Sequence, residues 1–209
     1  MPATFTTIVL LGWLLPFGGD DGQLPEKDTI KSLESKVIEL PESPEAAADK
    51  QAALAQYRLY LELPEGEPEN RTEALRRLGD LSLRVGDDAS VASETADGID
   101  RQRDAIRYYE QLLAVSTNYA KADHVVYQLA RAYESAGDSD AALRTLDRLV
   151  QDYPDSRHSD EAQFRRGEIL FMRKDYASAG RAYKAVVQYG PESAFYEQSL
   201  YKHGWSQFK

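Results

Sequence analysis

The sequence predicts an all-α fold built as an α-solenoid of antiparallel helix pairs. Three observations carry that prediction: a repeat of 37 residues, apolar positions at helical spacing inside each repeat, and Gly and Pro where the helices should stop. Six columns recur at the 37-residue offset. They are Ala105, Ala142 and Ala179; Tyr109, Leu146 and Tyr183; Leu112, Leu149 and Val186; Thr117, Pro154 and Pro191; Tyr127, Phe164 and Tyr201; and Ala130, Gly167 and Gly204.

Residues 1–19, MPATFTTIVLLGWLLPFGG, read as an export signal. Ile8 to Phe17 is an apolar run of signal-peptide length, short of the roughly 20 residues that cross a bilayer. No Lys or Arg precedes Ile8 and no Ala-x-Ala precedes Gly18, so an uncleaved interfacial anchor and a mis-set start remain alternatives. Residues 20–45 are charged, carry Pro25, Pro41 and Pro44, and read as an acidic tether with one short apolar stretch from Val37 to Leu40.

The repeat domain is expected over 46–209. QAALAQYRLYLELP and ALRRLGDLSLRVGD are degenerate units at its start. An insertion follows Gly86: Gly79 and Ala105 lie 26 residues apart, against 12 for the corresponding Ala130 and Ala142. Its Ser, Ala and Asp content predicts an exposed mobile loop at about 87–103. Residues 120–136 place Val126, Leu129, Ala130 and Tyr133 on one helical stripe, and Gly137 supplies the left-handed cap. Residues 139–152 place Ala142, Leu146, Leu149 and Val150 on the next stripe, and Pro154 stops it. Small residues at 130 and 142 allow close approach, and larger ones at 133 and 146 fill the space beside them.

Composition narrows the function. The 209 residues contain no cysteine, which excludes disulfides, thiol catalysis, cysteine-bound metals and an acylated cysteine anchor. With 35 acidic and 25 basic side chains the net charge is −10, which argues against phosphate-backbone binding. The acidity is confined to 20–100, with 20 acidic and 9 basic residues, whereas 101–209 has 15 and 16. His124, His158 and His203 lack metal-ligand spacing, and no nucleophile-elbow, zinc-protease, P-loop or dinucleotide motif occurs. Asp160 and Glu161 suit a helix N-terminus, and Asp87–Asp88 lacks the spaced oxygen ligands of a calcium loop. These residues predict no catalytic centre, cofactor or metal.

The unit Leu129, Ala130, Tyr133, Gly137, Ala142, Leu146, Leu149 and Pro154 resembles a tetratricopeptide repeat, as does Gly167, Leu170, Ala179, Tyr183, Val186 and Pro191. Leu78, Gly79 and Gly86, then Ala52, Leu59 and Pro64, match more weakly; Tyr201 and Gly204 begin a last unit. Pro154, Ser156, Ala162, Phe164 and Gly167 resemble a bacterial envelope subgroup, which includes the periplasmic TolA-binding cell-division coordinator and the lipoprotein of the β-barrel assembly machine. The period departs from the family's usual 34, with the extra residues in the joint after Pro154.

The resemblance implies a right-handed superhelix whose first helices line a concave partner-binding groove. Carried onto this sequence, the groove positions are His124, Tyr127, Arg131 and Glu134; Glu161, Phe164, Glu168, Phe171 and Met172; and Tyr201, Trp205 and Phe208. The set is aromatic with mixed charge, suited to a peptide or helix with apolar anchors, and unlike a basic carboxylate clamp. The repeating column Tyr127, Phe164 and Tyr201 reads more readily as packing within each repeat than as ligand contact, so the non-repeating Arg131, Phe171, Trp205 and Phe208 are the better contact candidates. The expected function is a non-enzymatic periplasmic scaffold binding envelope proteins, with no nucleic acid and no membrane span. The alternative is a docking or regulatory module of a longer enzyme or transport complex. Lys209 falls where a turn and second helix should begin, so continuation of the repeats, or docking of the last helix on a partner, is expected.

Overall fold

The computed structural model describes residues 44–64, 66–91, 95–116 and 118–209. The expected export segment and nearly all of the expected tether lie outside the described residues. Among them stand eight helices: α1 (Pro44–Glu62), α2 (Pro68–Val91), α3 (Thr95–Val115), α4 (Ala122–Ser135), α5 (Ser139–Asp152), α6 (Ser159–Met172), α7 (Tyr176–Tyr189) and α8 (Tyr196–Phe208). Each packs on its sequence neighbours, so the chain is an α-solenoid of antiparallel pairs, as the repeat predicts. The pairs are α2/α3, α4/α5 and α6/α7. Helix α1 holds a second-helix place and α8 a first-helix place.

Local chemistry ends the helices where the sequence pattern placed their ends. Gly137 adopts φ +80, and the amides of Gly137 and Asp138 donate to the carbonyls of Glu134 and Tyr133, closing the last turn of α4. Asp138 then caps α5 by accepting from the Ala141 amide at 2.9 Å. The next unit repeats the device with Asp175 accepting from the Ser178 amide, but its left-handed residue is Lys174, at φ 64.

The small residues of the repeat are receptors for second-helix side chains. Tyr109 and Tyr183 are fully buried, and a Cβ at Gly167 would stand 2.5 Å from the Tyr183 ring. Gly79 meets Tyr109 in the same way. In the middle unit Ala130 and Leu146 occupy those places, a larger floor under a smaller side chain. The tyrosines also bridge by hydroxyl: Tyr109 donates to Asp80 at 2.8 Å and Tyr183 to Glu168 at 2.5 Å.

One expectation changes. The insertion is largely helical: residues 87–91 continue α2 and 95–103 open α3, making helices of 24 and 21 residues against 14 for α4 to α7. Fourteen extra residues amount to about four helical turns, two for each helix, so the register of the pair survives. Gly86 allows the close approach, since a Cβ there would lie 3.0 Å from both the Gly98 carbonyl oxygen and Gln102 Cγ. The joint after Pro154 has its own purpose. Ser156 donates to Asp123 at 2.7 Å and accepts from the His158 amide, and Ser193 repeats both bonds with Asp160 and the Phe195 amide. Each serine pins the start of one first helix to the start of the previous one. Tyr119, at the equivalent place one unit earlier, reaches Glu73 at 3.0 Å.

Candidate protein-interaction surface

The first helices α2, α4, α6 and α8 stand in a row, and the side chains aimed along that row form the candidate site. Its aromatic column belongs to packing where it is complete. Tyr127 is only 5% exposed, because His158 stacks on it with centroids 4.2 Å apart and planes 4° from parallel. Burial, helped by Glu161, pushes the Tyr127 hydroxyl up to about 12. Phe164 is stacked by Phe195, 37 residues after His158, at 5.0 Å. In both units the residue preceding the following first helix, His158 or Phe195, lies against the ring, so Tyr127 and Phe164 each commit a face to packing. Tyr201, the third member, is 69% exposed.

The charged positions are wired to one another along the row. Arg131 donates to Asp87 of α2 at 3.3 Å and helps line a cavity of about 420 Å³ with Asp80, Arg84 and Asp88. Glu134 accepts from Arg165 of α6 at 2.7 Å, and Arg165 also holds Glu161. Glu168 accepts from Lys202 of α8 at 3.1 Å as well as from Tyr183. Arg131, Glu134 and Glu168 thus link successive units. Sequence reasoning missed their partners Asp87, Arg165 and Lys202. The signal for the latter two was present, since Gln128, Arg165 and Lys202 are spaced by 37.

His124 lies beside His158, with Nδ1 and Nε2 3.2 Å apart, and Arg157 Nε sits 3.2 Å from the same His158 nitrogen. That nitrogen accepts from Arg157, so His158 carries its proton on Nδ1 when neutral. Burial first, and for His158 the neighbouring His124 next, lowers both imidazole pKa values.

The open apolar surface lies at the α6 and α8 end. Phe171 meets Tyr176 edge-on at 5.1 Å, with the Lys202 ammonium 5.4 Å from its ring. Met172 and Phe208 are 81% and 77% exposed, and Trp205 stacks on Phe208 at 5.5 Å. Of the expected groove residues, the structure leaves Met172, Tyr201, Trp205 and Phe208 available, beside the Glu168–Lys202 pair. This surface offers flat aromatic area and one balanced ion pair, the components of a protein contact. Among the described residues, no helix is long and apolar enough to cross a membrane.

The geometry defines a helical-repeat protein, and comparison supports the particular repeat. The family model for the tetratricopeptide repeat matches residues 100–156 and again 127–194. Two crystal structures of MamA are similar, each at 17% identity and TM-score 0.58; they cover 78% of this chain and 75% and 80% of their own. BtubC from P. vanneervenii follows at 20% identity and TM-score 0.49, covering 78% of this chain and 67% of its own. At such identities the likeness is one of fold. No curated protein matches the sequence.

Proposed function

We propose that this chain is a non-enzymatic protein-interaction scaffold of the bacterial cell envelope, exported to the periplasm, which holds a segment of a partner protein against the α6–α8 end of its first-helix row. The observation that carries the reading is the contrast along that row. From α2 to α6 the polar side chains pair with one another and the rings are stacked, whereas Met172, Tyr201, Trp205 and Phe208 stand exposed together. Aromatic anchors of this kind gain contact area at small entropic cost. The envelope assignment rests on the apolar run from Ile8 to Phe17 and on the serine-pinned joint after each repeat proline.

The test is photo-crosslinking in living cells from a benzoylphenylalanine placed at Tyr201 or Trp205, with Tyr127 as control. One dominant envelope protein captured from the first two positions, and none from Tyr127, is the expected result. Adducts confined to Tyr127, or none from an exported protein, would overturn the surface. Retention in the cytoplasm on fractionation would overturn the compartment.

A further inference from the structure

The joint between α4 and α6 carries chemistry that the next joint lacks. In the α6/α8 joint the residue before the following first helix is Phe195, which stacks on Phe164 at 5.0 Å. At the same place 37 residues earlier stands His158, stacked on Tyr127 at 4.2 Å. A second imidazole, His124, stands where the following units have Glu161 and Gln198. The remaining histidine, His203, lies on α8 against the Gly180 carbonyl and belongs to neither joint.

The closed geometry cannot hold a proton on every ring nitrogen of this pair. His158 Nε2 accepts from both His124 Nδ1 and Arg157 Nε, each at 3.2 Å. One added proton is accommodated, because a neutral imidazole still accepts from a charged one. A second turns both facing nitrogens into donors, 3.2 Å apart and beside the Arg157 guanidinium. The rings titrate as a pair, and the second proton requires them to part.

Charges from every packed element set the balance. From α2, Asp80 attracts a proton to His124 and Arg76 repels it. Lys121, before α4, and Arg157, before α6, add positive charge, whereas Asp123 on α4 and Glu161 on α6 add negative charge. Each of these acids already has a donor of its own: Asp80 holds Arg76 and Tyr109, Asp123 holds Ser156, and Glu161 holds Arg165. Burial depresses both imidazoles in the closed joint, so an opened joint gains protons as pH falls below 6.5.

We propose that the α4/α6 joint is a proton-operated hinge: protonation of both His124 and His158 lifts the His158 ring from Tyr127 and lets the α6/α7 unit turn away from α4/α5. Opening bares Tyr127, only 5% exposed while covered, so acid adds an aromatic contact to the first-helix row. The hinge goes beyond the function proposed above and depends on neither its compartment nor its partner surface.

The chain has no cysteine, so spin labels attach selectively to cysteines introduced at Arg107 and Lys184, exposed positions of α3 and α7 on either side of the joint. Double electron–electron resonance on the full chain should show one distance population at pH 8. A second should grow in between pH 6.5 and 5, with more than one proton taken up per opening, while far-UV circular dichroism holds. His158→Phe, which installs the ring that Phe195 supplies, and His124→Gln, which leaves one imidazole, should each keep the pH 8 population throughout. Thermal melts at pH 8 identify a variant that fails to fold, and the other then carries the comparison. A single population down to pH 5, a shift shared by the folded variant, or a shift that appears only as helicity is lost would overturn the hinge.

Discussion

Lys174 holds a left-handed backbone where the preceding unit uses Gly137. An L side chain in that region costs about 1 kcal/mol, partly offset by the greater freedom glycine brings to the unfolded chain. Lys174→Gly should therefore raise the melting temperature slightly, and a fall in a thermal melt would contradict the strain argument. Gly167 carries the opposite expectation. An alanine methyl would press on the Tyr183 ring, so Gly167→Ala should destabilise by about 1–3 kcal/mol in urea unfolding. Adding Tyr183→Leu recreates the Ala130–Leu146 combination of the middle unit and should recover part of the loss. The glycine was legible in the sequence as a column; that its partner is a ring was not, because tyrosine and leucine alternate in the facing column and only packing explains the alternation.

At the scale of elements, the joint between α4 and α6 contains the two neighbouring imidazoles. Asp80, Asp123 and Glu161 favour their charged forms, whereas Arg76 for His124, and Arg157 for both, oppose them. Burial outweighs the attraction, and both folded pKa values lie below 6.5. With a depressed folded pKa the unfolded chain binds the proton first. Stability is therefore full above pH 6.5 and falls as pH drops from there toward the folded values. Thermal melts between pH 8 and 5 should show that decline. His158→Phe, which installs the residue Phe195 supplies one repeat later, should flatten the slope, and an unchanged slope would remove the pair as its source. Glu73 acts lower on the scale: the hydrogen bond from Arg76 holds its carboxyl at about 2 against 4.5, so its contribution survives until pH falls below 4.5. The histidines are 34 residues apart, a spacing with no ligand pattern, and only the antiparallel return of α5 brings them together.

The α2/α3 hairpin belongs to the same scale. Its Ser, Asp and Gly content reads as loop, because those residues suit turns and gain little from a helix in isolation. Packing overrides propensity here: Gly86 lets the two backbones close, and Gln102 is 2% exposed between them. Limited trypsin digestion should cut at Arg101 and Arg103 much more slowly than an exposed loop would allow, and rapid cleavage there would restore the loop reading.

Across the whole molecule, period and hydrophobic spacing were enough to specify helices, pairing and repeat register. Those properties are local, since a helix needs one apolar stripe and a stop signal, and a repeat needs its neighbour to bury that stripe. The aromatic and charged groove positions were legible only as a list. Whether Tyr127 and Phe164 face a ligand or carry His158 and Phe195, and whether Arg131, Glu134 and Glu168 are free or tied to the next unit, depends on distances between helices that sequence spacing does not contain. The sequence by itself determined the solenoid. Tertiary structure alone decided which faces of it remain open, because burial and pairing are settled between elements and not within them.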